Sequence, residues 1–81
     1  MKDLKKQCEE LGRVVEFHRE KSGLTQAGAA KLAGIGKTAV YDIEHGKTTV
    51  QFDTVLKLLS ILNIRVNYEG PLMQAYRAWK K

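Results

Sequence analysis

The sequence predicts a mainly α-helical fold: four to five short helices in one small domain, followed by a single C-terminal β-strand. Three observations carry this expectation. Apolar residues recur at steps of three and four through most of the 81 residues, the period that lines one face of a helix. Glycines stand where those runs stop, at Gly23, Gly34 and Gly46, and a glycine just past the last turn is the usual way a helix ends. One stretch, "IRVNYE", alternates apolar and polar residues instead, with Ile64, Val66 and Tyr68 on one side and Arg65, Asn67 and Glu69 on the other; that is the period of a half-buried strand.

In chain order, Leu4, Cys8, Leu11, Val15 and His18, joined by Val14, form one stripe of a first helix from about Asp3 to Lys21. "KSGL" stops it, with Gly23 as the left-handed residue. Thr25 is placed to cap a second helix, about Gln26 to Ala33, although the capping-box position three residues on is Gly28 rather than an acid. Gly34 terminates that helix, and "GKTAVYDIEHG" supplies a third, with Ala39, Val40 and Ile43 at helical spacing. A polar connector leads to "FDTVLKLLSILN", a fourth helix whose expected buried set is Phe52, Val55, Leu56, Leu59 and Leu62. The strand follows and is broken by Gly70-Pro71. In the tail, Leu72, Tyr76 and Trp79 fall within reach of one helical face. A lone strand cannot satisfy its own ladder, so the economical partner is the same strand of a second copy, giving a C2 homodimer.

Composition narrows the function classes. Cys8 is the only cysteine, so no internal disulfide forms, and neither it nor His18 and His45 has zinc-ligand spacing. Neither a metal nor another cofactor is expected. No apolar h-region and no run of eighteen apolar residues is present, which points to the cytoplasm. Fourteen Lys and Arg against nine Asp and Glu give a net charge of +5, a balance compatible with nucleic acid but not diagnostic of it. Ser/His/Asp sets, Cys/His sets and paired catalytic carboxylates are all missing, so an enzyme is disfavoured.

"GIGKT", residues 34–38, looks like the downstream end of a phosphate-binding loop. The full pattern requires a glycine five residues before Gly36, where Lys31 stands, and a strand upstream, where "LTQAGAAKLA" is helical in character. The alternative use of such a string is a tight turn between two short helices. Gly34 and the small Ala30 would let the second of the pair stand proud and enter a DNA major groove while the first crosses the backbone.

On these residues the chain resembles the helix-turn-helix domain of the phage repressor and Cro (XRE) family, over about residues 10–63. Gln26, Ala30, Gly34, Val40, Ile43, Glu44 and Gly46-Lys47 carry the match. The resemblance implies that Gln26 bonds a phosphate at the start of the second helix. It also implies that Lys37, Thr38, Tyr41 and Asp42 face base edges, with Ala39 free to touch a thymine methyl. Gly36 admits the start of the recognition helix, His45 and Lys47 meet phosphate, and Arg19 pairs with Glu44 to orient the helices. Asp42 would accept from a cytosine or repel wrong sequences, or simply pair with a nearby Lys or Arg. Within the family, "GIGKTAVYDIEHGKTTVQFDTVLKLLSILNIRV" resembles Hip-type antitoxins, which repress their own operon and bind a kinase-like toxin. "AGAA" departs from that pattern, and the tail beyond Pro71 has no counterpart.

The resulting expectation is a helix-turn-helix DNA-binding domain at 1–63, a dimerisation strand at 64–70 built on Ile64, Val66 and Tyr68, and a basic, aromatic tail at 71–81. Such a homodimeric repressor would bind a palindromic operator in double-stranded DNA. It would associate with the nucleoid and serve as the antitoxin of a type II toxin-antitoxin pair. The competing expectation is a protein-interaction module on the same scaffold.

Overall fold

The computed structural model describes residues 2–80. Five helices follow one another: α1 (Lys2–Lys21), α2 (Gln26–Ala33), α3 (Lys37–Glu44), α4 (Phe52–Ile61) and α5 (Met73–Trp79). The first four pack together, with α3 touching α1, α2 and α4, and α2 also touching α4.

The core consists of Val15 from α1, Ala29 and Ala30 from α2, Val40 and Ile43 from α3, and Leu58, Leu59 and Leu62 from the end of α4. Half-buried Leu11, Leu24, Ile35, Val50, Val55 and Ile64 pack around it. Burial of such side chains, each worth about 1.5–3 kcal/mol, is the main stabilising term of the domain.

Two expected stripes are partly wrong. On α1, Leu4 and His18 are exposed, because the buried line of this helix runs through Gly12, Val15 and Arg19, at steps of three and four, and leaves His18 beside it. On α4, Phe52 is 68% and Leu56 37% exposed while Leu58 is fully buried. The side facing α2 and α3 is therefore Val55, Leu58, Leu59 and Leu62, at steps of three and four. Phe52 and Leu56 lie on one flank of an apolar stripe wider than a single chain covers.

α4 closes at Asn63, whose φ of 58° is left-handed, and the next N–H, of Ile64, donates back to the Leu59 carbonyl at 3.0 Å. The expected strand is not formed. Residues 64–70 carry no regular secondary structure, and no strand exists among the described residues. The reason is the one that called for a second copy: a ladder needs a partner, and one chain offers none. The tail turns at Gly70-Pro71 into α5, where the Tyr76 and Trp79 rings lie 6.1 Å apart, with no residue of the helix buried.

Candidate nucleic-acid interface

The turn between α2 and α3 is built from local chemistry. Thr25 is extended, and its hydroxyl oxygen accepts from the Gly28 N–H at 3.0 Å, starting α2. Gly34 adopts φ 71°, a conformation that costs any other L-residue about 1–2 kcal/mol. It lets the Ile35 N–H reach back to the Ala30 carbonyl at 3.0 Å. Gly36, with φ −78°, caps α3 without a side chain, and its carbonyl accepts from Ala39 and Val40. "GIGKT" thus joins two helices rather than a strand and a helix.

Val40 and Ile43 hold the inner face of α3 in the core. The opposite face is then fixed by the helical period. Lys37, Thr38 and Tyr41 are exposed, and Ala39 and Asp42 are half-buried. With Gln26 from the start of α2, the first three line one open recess of about 330 Å³. Of the residues expected to face DNA, these four are brought together. His45 and Lys47 do not line this recess; they lie at the C-terminal end of α3, where His45 adjoins it through Tyr41.

That end has its own order. His45 stacks on Tyr41, with ring centroids 3.9 Å apart and 21° between planes. Its Nδ1 lies 2.8 Å from the Tyr41 carbonyl oxygen. A carbonyl can only accept, so this contact requires the proton on Nδ1. Lys47 Nζ lies 3.4 Å from Asp42 Oδ2. Of the roles open to Asp42, the structure displays a pairing with a neighbouring lysine, at an exposed site where such a pair contributes little.

Beneath the face lies a buried ionic network. Glu44, whose side chain is 1% exposed, accepts from Arg19 Nε at 2.5 Å and from Arg19 Nη2 at 3.1 Å. Its Oε1 also accepts from Gln26 Nε2 at 3.0 Å, and Arg19 Nη1 donates to the Leu24 carbonyl at 2.8 Å. One carboxylate therefore ties the ends of α1 and α3 to the beginning of α2. The hydrogen bond to Glu44 raises the Arg19 pKa above its ordinary value; burial opposes this and the Glu44 charge adds to it. The expected Arg19–Glu44 pair is present, and Gln26 belongs to it. That leaves one amide hydrogen of Gln26 free to donate, while its side-chain oxygen can only accept.

One positioning residue was missed in the sequence. Gly12 is buried in mid-α1, where an added Cβ would lie 2.5 Å from the Ile43 carbonyl oxygen and 2.6 Å from that of Glu44. Its sign in the sequence is a glycine inside an otherwise periodic helix, and what that glycine faces is decided by tertiary packing. Nearby, Lys5 Nζ donates to the Gly46 carbonyl at 3.0 Å, fastening α1 to the turn after α3.

Among the described residues no group of three or more His, Cys, Asp or Glu side chains is placed to hold a metal ion, and no helix is long and apolar enough to cross a membrane.

Comparison with known proteins agrees with this geometry. Residues 17–68 match the helix-turn-helix family, a span that includes both short helices and their turn. The chain is 32% identical over 62 residues to an uncharacterized HTH-type transcriptional regulator, y4mF, of Sinorhizobium fredii, covering 76% of this chain and 82% of that protein. With its turn, its outward α3 face and this match in hand, the chain belongs to the helix-turn-helix family.

Proposed function

We propose that the protein is a sequence-specific DNA-binding transcriptional repressor that acts as a cytoplasmic, nucleoid-associated homodimer. The observation that carries the reading is the outward face of α3. Lys37, Thr38 and Tyr41 are exposed beside Gln26 while Val40 and Ile43 are locked in the core, the arrangement that lets a helix enter a major groove without disturbing its domain. Membership of the helix-turn-helix family and the similarity to an HTH-type transcriptional regulator support it.

In this reading Lys37 and Thr38 contact base edges, Tyr41 a base or sugar, and Ala39 a thymine methyl. Gln26, His45 and Lys47 meet phosphates, which position the domain rather than specify sequence. Gly36 leaves room for the backbone at the start of α3. Two copies would place their α3 helices in successive major grooves, about 34 Å apart, on a palindromic operator. The segment 64–70 serves as the dimerisation element, following the domain 1–63 and preceding the tail 71–81. The finer proposal is an antitoxin of the Hip type that autoregulates its operon and binds a kinase-like toxin. Its support is the resemblance of residues 34–66.

The test is a mobility shift on the protein's own promoter DNA. Specific binding is expected, and Lys37→Ala with Thr38→Ala should abolish the preference for that site while leaving the melting temperature unchanged. Unaltered specificity in the double variant would refute the assigned reading face. A second reading, a protein-interaction module, is favoured by the Asp42 carboxylate on the outward face and by Trp79, which is 70% exposed. Capture of a protein encoded next to it, with no protection of promoter DNA, would select that reading.

A further inference from the structure

The proposed homodimer leaves open how the two copies of 64–70 meet, and the sequence of that segment restricts the answer. A two-fold axis perpendicular to an antiparallel pair must pass through a residue facing its own copy, because alternation puts odd and even positions on opposite faces. Around Asn67 the segment reads Arg65, Val66, Asn67, Tyr68, Glu69. With Asn67 on the axis, Arg65 of each copy faces Glu69 of the other, and Val66 faces Tyr68. Both charges are thereby neutralised, and both apolar residues meet a β-branched to aromatic contact. An axis through Val66 sets Glu69 against Asn63 and Arg65 against Asn67. An axis through Tyr68 sets Arg65 against Pro71 and Glu69 against Asn67. Either leaves all four charges unmatched.

The structure leaves these groups free for such pairing. Backbone N–H and C=O groups of Arg65 through Glu69 make no backbone hydrogen bond among the described residues, and neither Arg65 nor Glu69 forms an ion pair there. Val66 is 42% and Tyr68 66% exposed. Val66 also borders a groove of about 530 Å³ that includes Leu56 and Ile64, so an aromatic ring set opposite Val66 arrives beside apolar surface that its own chain does not cover. We infer that Arg65–Glu69 pairs antiparallel with the same segment of a second copy, in the register that puts Asn67 on the two-fold axis. This rests on the homodimer of the proposed function and fixes its geometry.

Sedimentation of the full chain without DNA tests the register apart from any DNA binding. Arg65→Glu and Glu69→Arg, each alone, should weaken the dimer at low salt by about tenfold or more, since two facing pairs become repulsive. Arg65→Glu combined with Glu69→Arg should return the affinity to within about threefold of the original, because the facing charges are opposite again. On a Cys8→Ser background, Asn67→Cys should form an intermolecular disulfide under mild oxidation. Val66→Cys and Tyr68→Cys should not, because their copies sit diagonally, about 7–8 Å apart. Failure of the double reversal to restore affinity, or faster cross-linking through position 66 or 68, overturns the register while the dimer stands. A native chain that sediments as a monomer removes the dimer itself, whatever its affinity for DNA.

Discussion

Truncating Glu44 to alanine strips the Arg19 guanidinium of two hydrogen bonds to a carboxylate while leaving it inside the domain, where Arg19 is 8% exposed. Removing one partner of a buried ion pair costs about 3–5 kcal/mol, because the survivor keeps its desolvation without its counter-charge. Arg19 retains the Leu24 carbonyl and has Glu20 at 3.9 Å on the surface, so the lower end, about 3 kcal/mol, applies. For 81 residues the unfolding entropy is about 0.17 kcal/mol per degree, and the melting temperature should fall by about 18 °C. Thermal unfolding followed by circular dichroism measures this. Folding raises the Arg19 pKa, so the stabilisation linked to its proton is complete below the ordinary arginine range. It is lost only as pH rises through the higher folded value, and the deficit should stay level between about pH 6 and 9. Replacing the pair together, Arg19→Met with Glu44→Leu, should recover most of the loss. A fall of less than about 5 °C for Glu44→Ala, or a double variant no better than the single, would refute the account of a buried charge left unpaired.

Gly12→Ala should destabilise the fold by about 2 kcal/mol or more, since its Cβ meets main-chain oxygens of Ile43 and Glu44 that no rotamer change can move. Gly36→Ala, with φ −78° and open space around it, should leave the melting temperature within about 2 °C and weaken DNA binding only if the backbone of DNA comes close there. Asp42→Asn removes a negative charge from the outward face and frees Lys47. Fluorescence anisotropy should then show tighter binding to unrelated DNA sequences and a steeper salt dependence. Lys47→Ala should weaken all sequences alike and flatten that dependence by about one unit of slope.

The parts of the fold legible in the sequence are those governed by local rules. Thr25 caps, Gly34 terminates and Val40 with Ile43 faces inward because each outcome is decided within one or two helical turns. Exposure of Lys37, Thr38 and Tyr41 follows from the same period. α4 was harder. Its stripe is apolar over a wider arc than one neighbour can cover, and nothing local tells whether Phe52 or Leu58 wins the inner position. The segment 64–70 has strand periodicity without a strand, since pairing belongs to two copies and periodicity to one. Gly12 escaped because a helical glycine is informative only once the carbonyls it faces are known. Glu44 was assigned its arginine, yet its bond to Gln26 depends on how α2 and α3 cross, which the turn sets.

The contact at Gly12 also bears on how binding preference can change over time. α1 meets the end of α3 main chain against main chain, with no side chain between them, and Lys5 fastens the following turn through a carbonyl. The aim of α3 is therefore set from behind, by this main-chain contact, by Val40 and Ile43 in the core and by the Arg19–Glu44 pair. Lys37, Thr38 and Tyr41 take no part in setting it, so they are exchangeable: a descendant could acquire a new preference by substitutions on the outward face alone, with the scaffold inherited intact.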